Sequence, residues 1–233
     1  MATKPILFNT EMVRAILDVR KSCTRRLVKP EPQGYFEVSE EPLYIYDTDG
    51  KQGKITPPYQ PGDILYVRET FAWCPCWDCG MDTEQGACTD HIYHSEKKEY
   101  GCYMYRASCE DNEYPSADTW HPSIHMPKEA ARIWLKVKNV RVERLQEMKP
   151  VDVIKEGAYP DCWDCLNTYE ESGSQCCYGT EEQCSQCDGV MMEWEKLWNS
   201  TIKKTDIDRY GWDANPWVWV IEFERCKKPK GEN

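Results

Sequence analysis

Apolar and polar positions alternate along the chain with two different periods. The opening K-P-I-L-F (4–8) is a short apolar run, and N-T-E-M-V-R-A-I-L-D-V-R-K then places Met12, Val13, Ile16 and Leu17 at helical spacing. This predicts a short buried strand followed by a helix capped by Asn9 or Thr10, with Met12 and Ile16 facing inward. At 59–73, Pro61 and Gly62 punctuate a turn into a strand where Ile64, Tyr66 and Arg68 alternate with Leu65 and Val67. Segments 103–107, 131–145 and 216–225 read as further strands by their alternation and their β-branched and aromatic content. Helical periods return at 150–158, with Pro150 in the first turn and Gly157 as the stop, and at 190–202. The order β, α, several β, α, α, β predicts one α+β domain over 1–233, built on a curved sheet or small barrel.

Two stretches break these periods. Residues 74–118 and 160–189 are rich in Cys, Asp, Glu, Ser and Gly, and hold all of the 14 cysteines except Cys23 and Cys226. They read as insertions folded by metal. Cys162-x-x-Cys165 and Cys184-x-x-Cys187 have the paired spacing of a structural zinc bound by four thiolates, each pair forming one tight knuckle. Cys176 and Cys177 are spare candidates. The first insertion offers Cys74, Cys76, Cys79 and Cys88, followed by His91, His94, Cys102 and Cys109, with several ligand sets open. One or two structural zinc ions per chain are therefore expected. The P-C-W-D-C stretch (75–79) matches half of a cytidine deaminase motif, but no upstream His-x-Glu or Cys-x-Glu accompanies it.

Charge narrows the partners. With 40 acidic and 29 basic residues the formal net charge is −11, so bulk binding to DNA or a long RNA backbone is not expected. Nothing resembles a signal peptide or a run of about 18 apolar residues, so a soluble cytoplasmic protein without membrane contact is expected.

One basic stretch stands out in this acidic chain. R-K-S-C-T-R-R (20–26) follows the first helix and contains Lys21, Thr24 and Arg26 as K-x-x-T-x-R, and Glu156 lies far downstream in V-I-K-E-G-A. With the blocks Y-Q-P-G-D-I-L-Y-V-R-E-T, Y-R-A, P-S-I-H-M-P-K-E-A-A-R-I-W-L-K-V-K-N-V-R-V-E-R-L-Q, L-W-N-S and Y-G-W-D-A-N-P-W-V-W-V-I-E-F-E-R, this pattern resembles the ASCH family, and in particular its longer phage and prophage-associated members. The resemblance covers the chain outside the two cysteine-rich insertions. It implies a PUA-like fold, a small curved β-barrel with flanking helices. It departs from the family at Val19, where the signature has glycine.

Small members of that family are amidohydrolases that release acetate from N(4)-acetylcytidine. Carried over by position, the resemblance implies Lys21 as base, Thr24 as the activated hydroxyl and Glu156 as proton shuttle. Arg26, Arg68, Glu69 and His125 are candidates for contacting substrate, although Arg68 and Glu69 also read as a surface ion pair and His125 as a satisfied loop histidine. Cys23 has no role in the family pattern. The expected partner is a modified pyrimidine nucleoside or RNA fragment. Two other readings stay open: a PUA-like module that binds RNA or modified bases, using Lys21, Arg25 and Arg26 on phosphate with Trp or Tyr stacking, and a zinc-stabilised phage accessory protein without catalysis. Trp217 and Trp219 share one face of the last strand and read as core.

Overall fold

In chain order the elements are β1 (Thr3–Leu7), α1 (Thr10–Leu17), β2 (Cys23–Leu27), β3 (Phe36–Glu40), β4 (Leu43–Asp47), β5 (Lys54–Ile55), β6 (Ile64–Arg68), β7 (Phe71–Pro75), β8 (Ile92–His94) and β9 (Glu99–Tyr105). They continue with β10 (Trp134–Arg144), α2 (Pro150–Lys155), α3 (Ser185–Thr201), α4 (Ile207–Tyr210) and β11 (Trp217–Cys226). This computed structural model describes residues 2–32, 36–40, 43–47, 53–75, 92–94, 97–109, 119–158 and 185–229. The fold is mixed α and β, mostly sheet with few helices, and the described residues form no closed barrel. The chain divides into two units, one of Met1–Ala2, Asp18–Asp63 and Lys136–Glu224, the other of Thr3–Leu17, Ile64–Leu135 and Arg225–Asn233.

In the first unit β2 pairs antiparallel with β11, which has β10 on its other side. A smaller antiparallel sheet runs β3-β4-β5. The core joins Leu145, Met148 and Val153 to Trp194 and Trp198 of α3 and to Val218 and Val220 of β11. Burial of these large side chains is the main stabilising term, each contributing about 1.5–3 kcal/mol. Helix α2 begins as its sequence predicts: Pro150 occupies the first turn, and the Lys149 amide donates to Asp152 Oδ2 at 3.0 Å. It stops where Gly157 takes φ 82°, a left-handed value that glycine adopts without steric cost. Helix α3 starts at Ser185, inside the expected second insertion and ahead of the predicted start at 190, so Cys187 lies on helical backbone.

In the second unit β1 and β6 pair in parallel, Ile6 opposite Val67. Helix α1 follows β1 and is capped by Asn9, whose Oδ1 accepts from the Met12 amide at 2.8 Å. Its inward residues are Val13, Ala15 and Ile16, while Met12 is only half-buried. Of the predicted inward pair, Ile16 is buried as expected and Met12 gives way to Val13, because the apolar 12–13 doublet lets either residue face the core. Strands β7, β9 and β8 form an antiparallel sheet, β8 and β9 inside the expected first insertion and β7 mostly ahead of it, with Trp73 opposite Tyr103 and Cys74 opposite Cys102. A Cβ at Gly101 would fall onto the Trp73 indole, so β9 passes there only as bare backbone. Ile64, Phe71, Met126, Ala130, Ala131 and Trp134 make this unit's core. Among the described residues no helix is long and apolar enough to cross a membrane.

Candidate functional site

The stretch 20–26 leaves α1 through a strained turn. Val19 has φ 62° and is 78% exposed, and two residues later Lys21 is buried. The start of β2 is pinned on both sides, since the Ser22 amide donates to the Lys155 carbonyl at 2.8 Å and the Phe223 amide donates to the Ser22 carbonyl at 2.9 Å. Opposite β2 on β11, Thr24 faces Ile221 and Arg26 faces Trp219. Strand alternation puts Thr24 and Arg26 on one face and Cys23 and Arg25 on the other.

Lys21 Nζ donates to the Cys23 carbonyl at 2.8 Å, to the Glu156 carbonyl at 2.7 Å and to Glu156 Oε2 at 2.9 Å. Three acceptors match the three N–H donors of an ammonium. Glu156 is itself buried at the end of α2, where its amide donates to the Asp152 carbonyl. Its other oxygen, Oε1, accepts from Arg25 Nη1 at 3.2 Å. Arg25 also grips Glu143 Oε1 through Nε at 3.0 Å and Nη2 at 2.7 Å, with Asp152 Oδ2 at 3.7 Å. On the other face Arg26 Nη1 donates to Thr24 Oγ1 at 3.0 Å and to the Arg25 carbonyl at 3.1 Å.

Burial sets the electrostatics. It pulls the Lys21 amine below the ordinary lysine range, with Glu156 opposing, because the uncharged form loses less on leaving water. It also pulls Arg26 down. For Arg25, burial acts the same way but Glu156 and Glu143 outweigh it, and the guanidinium is held above its usual value. The Cys23 thiol is pushed up to about 12 by burial, reinforced by the nearby Glu156, and is therefore inert as a nucleophile at neutral pH.

A cavity of about 580 Å³ lies beside this cluster in the same unit, lined by Arg25, Arg26, Lys29, Tyr59, Trp198 and Trp219 among others. Lys21, Thr24 and Glu156 do not line it, but Arg26 reaches Thr24 and Arg25 reaches Glu156. The two arginines thus link an aromatic-walled hollow to a buried hydroxyl, amine and carboxylate. Such a set can hold a flat polar ligand and move a proton between Lys21 and Glu156.

Arg68, Glu69 and His125 belong to the second unit, and none lines this cavity. Arg68 donates through Nε to the Met126 carbonyl at 2.8 Å and through Nη2 to the Ile124 carbonyl. Glu69 is buried and accepts from Nε and Nη2 of Arg132 at 2.9 Å each, rather than pairing with Arg68 at the surface. His125 is exposed in a short 3₁₀ turn and borders a separate hollow of about 400 Å³ with Phe71, Trp73, His94 and His121. Of the expected zinc ligands, Cys76, Cys79, Cys88, Cys162, Cys165 and Cys184 lie outside the described residues, as do His91, Cys176 and Cys177. Cys74 is a buried thiol directed at the Pro75 carbonyl, 3.7 Å away, and Cys109 is directed at the Tyr105 carbonyl. Among the described residues no three or more His, Cys, Asp or Glu side chains are grouped to hold a metal.

Sequence reasoning did not find Glu143, Asp152, Tyr59 or Trp198. Asp152 carried a usable signal, since it stands four residues before Glu156 and so shares its helix face. Glu143 and Tyr59 carried none, because only the chain path brings them near β2. Compared with family models, with curated proteins and with solved structures, the chain finds no match.

Proposed function

We propose that the protein is an amidohydrolase of the ASCH type, on a PUA-like fold, that removes an acyl group from a modified pyrimidine nucleoside resembling N(4)-acetylcytidine. The observation that carries this reading is the buried Lys21–Glu156 pair, 2.9 Å apart, just ahead of the strand β2 that carries Thr24, whose hydroxyl Arg26 holds at 3.0 Å. A lysine is almost never fully buried without a specific partner, and a burial-lowered amine next to a hydroxyl is the arrangement that activates a weak nucleophile.

Transfer of one proton along the Lys21–Glu156 hydrogen bond leaves a neutral amine and a carboxylic acid. Lys21 then takes the Thr24 proton as Oγ1 attacks the acyl carbon, and Arg26 donates to the oxyanion. Collapse breaks the C–N bond, with Glu156 giving its proton to the departing amine. Water, deprotonated by Glu156, then attacks the threonine ester; the carboxylic acid product leaves, and Lys21 returns its proton to Thr24.

A second reading, a binder of modified bases without turnover, is favoured by one observation: all three Lys21 N–H groups are already satisfied, as in a purely structural ammonium. Incubation with N(4)-acetylcytidine and a panel of acylated nucleosides, followed by chromatography, separates the two. Turnover that falls by about 10³-fold or more in Lys21→Met and Thr24→Ala supports hydrolysis. Binding without turnover in the native protein refutes it.

For the cysteine-rich segments the proposal is a structural zinc bound by Cys162, Cys165, Cys184 and Cys187. The ligand spacing is its support, together with the poverty of apolar residues that would otherwise order 160–184.

A further inference from the structure

Arg25 is a buried charge that the proposed hydrolysis does not use. Its side chain has no exposed surface, and its fork is divided between carboxylates. Nε and Nη2 donate to Glu143 Oε1 at 3.0 and 2.7 Å, Nη1 donates to Glu156 Oε1 at 3.2 Å, and Asp152 Oδ2 lies 3.7 Å from Nη2. From behind, Arg141 Nε donates to Glu143 Oε2 at 3.2 Å, so the carboxylate that anchors the fork is itself held on both oxygens. The two oxygens of Glu156 thus face different cations, Oε1 facing Arg25 and Oε2 facing Lys21 Nζ at 2.9 Å. All of these residues lie in the first unit.

We infer that Arg25 is a positioning residue of this site: by donating to Oε1 of Glu156 it confines the exchangeable proton of that carboxyl group to Oε2, on the Lys21 side. This deepens the amidohydrolase reading and rests on it for turnover, but not for the placement of the proton. A guanidinium carries donors only and keeps its charge at any working pH, so the oxygen it faces is held as an acceptor. A proton on Oε1 would set a hydroxyl donor against the Arg25 N–H in a desolvated site, where an unmatched donor is costly. When Glu156 becomes a carboxylic acid, its hydroxyl is therefore Oε2 and its carbonyl oxygen Oε1. On the proposed route the oxygen that takes the Lys21 proton is then the one that hands it to the departing amine and later deprotonates the water, with no turn of the carboxyl group between steps. The second anchor at Glu143 keeps the Arg25 fork in place while these protons move.

A side-chain amide reproduces a carboxylic acid, with one acceptor end and one donor end, so Glu156→Gln tests the placement without any turnover. Its oxygen is expected on Arg25 and its NH2 group against Lys21, whose amine burial has already pulled below the ordinary lysine range and which, once neutral, can accept where a guanidinium cannot. NMR on the selectively labelled variant should show NOEs from the amide protons to the Lys21 ε-methylene. NOEs to the Arg25 δ-methylene instead, or to both equally, overturn the inference. Arg25→Lys then reads the role in turnover, since an ammonium keeps the charge but is a single point and cannot hold Glu143 and Glu156 in one fixed plane. The kcat is expected to fall about tenfold or more with KM changed less than about twofold, because carboxyl orientation bears on the chemical steps rather than on substrate binding. A kcat equal to that of the native chain, or a loss confined to KM, overturns the inference. The expected NOEs with no hydrolysis of any acylated nucleoside by the native chain defeat the amidohydrolase reading alone. Hydrolysis with NOEs to Arg25 defeats this inference alone.

Discussion

Val19 offers a measurement of backbone strain next to the site. Its φ of 62° is in the left-handed region, where an L-residue brings Cβ against the following carbonyl at a cost of about 1–2 kcal/mol, and a β-branched residue fits worst. Its side chain is 78% exposed, so truncation removes little buried apolar area. Val19→Gly relieves the strain but widens the unfolded ensemble, a penalty of about 0.4–1 kcal/mol. The difference is a net stabilisation of about 0.5–1 kcal/mol. For a chain of this size that raises Tm by roughly 1–4 °C. Calorimetry or thermal circular dichroism reads it directly. Val19→Ala, which keeps a Cβ but loses the branch, should recover only part of the gain. Val38→Gly, at another exposed position, within β3, should destabilise by about 0.5–1 kcal/mol and so show that the benefit belongs to the turn. A Tm in Val19→Gly equal to or below that of the native chain would refute the strain argument.

Cys23 predicts a pH effect. Its thiol holds its proton in the fold up to about pH 12 but releases it near pH 9.0 when unfolded, so its contribution is complete below pH 9 and is lost as pH climbs toward 12. Denaturant titrations across that window should show the native chain losing up to about 4 kcal/mol more than Cys23→Ala, and parallel curves would remove the effect. Lys21→Met should destabilise by about 3 kcal/mol, because the buried Glu156 carboxylate loses a charge partner; a loss under about 0.5 kcal/mol in chemical denaturation would mean the pair is not desolvated. Purified under reducing conditions, the protein should carry at least one zinc per chain by elemental analysis, and replacing Cys162 and Cys165 by Ser should remove one equivalent. Metal content unchanged in that double variant would exclude those ligands.

Periodic features were the legible ones. The helix at Thr10–Leu17, its Asn9 cap, the Pro150 start and Gly157 stop of α2, and the strands at 64–68, 134–144 and 217–226 all follow from local spacing and turn chemistry. The Lys21–Glu156 contact was legible only through resemblance, since 135 residues separate the partners and no local rule spans that distance. Arg25 appeared as part of a basic run, yet its carboxylate partners Glu143, Asp152 and Glu156 depend on where α2 and β10, one strand beyond β11, bring them to β2. The expectation that 74–118 is folded by metal missed β8 and the first half of β9, whose later half falls in the strand expected at 103–107, because their short aromatic alternation is interrupted by polar residues and by Gly101. Burial of Glu69 was missed for a related reason: its partner Arg132 lies in a stretch that reads as a plain strand entry.

Two of the three acceptors around Lys21 Nζ are main-chain carbonyls, those of Cys23 and Glu156. The amine is therefore installed by the path of the backbone, and any residue at positions 23 and 156 supplies the same two oxygens. Chemistry and placement become separable. Glu156→Gln takes away the proton partner while leaving the lysine anchored, so a loss of turnover in that variant reports proton movement rather than a displaced amine. On the proposed hydrolytic reading the same independence gives the scaffold an evolutionary latitude: one change at position 156 would end cleavage while the lysine stays anchored by the two carbonyls.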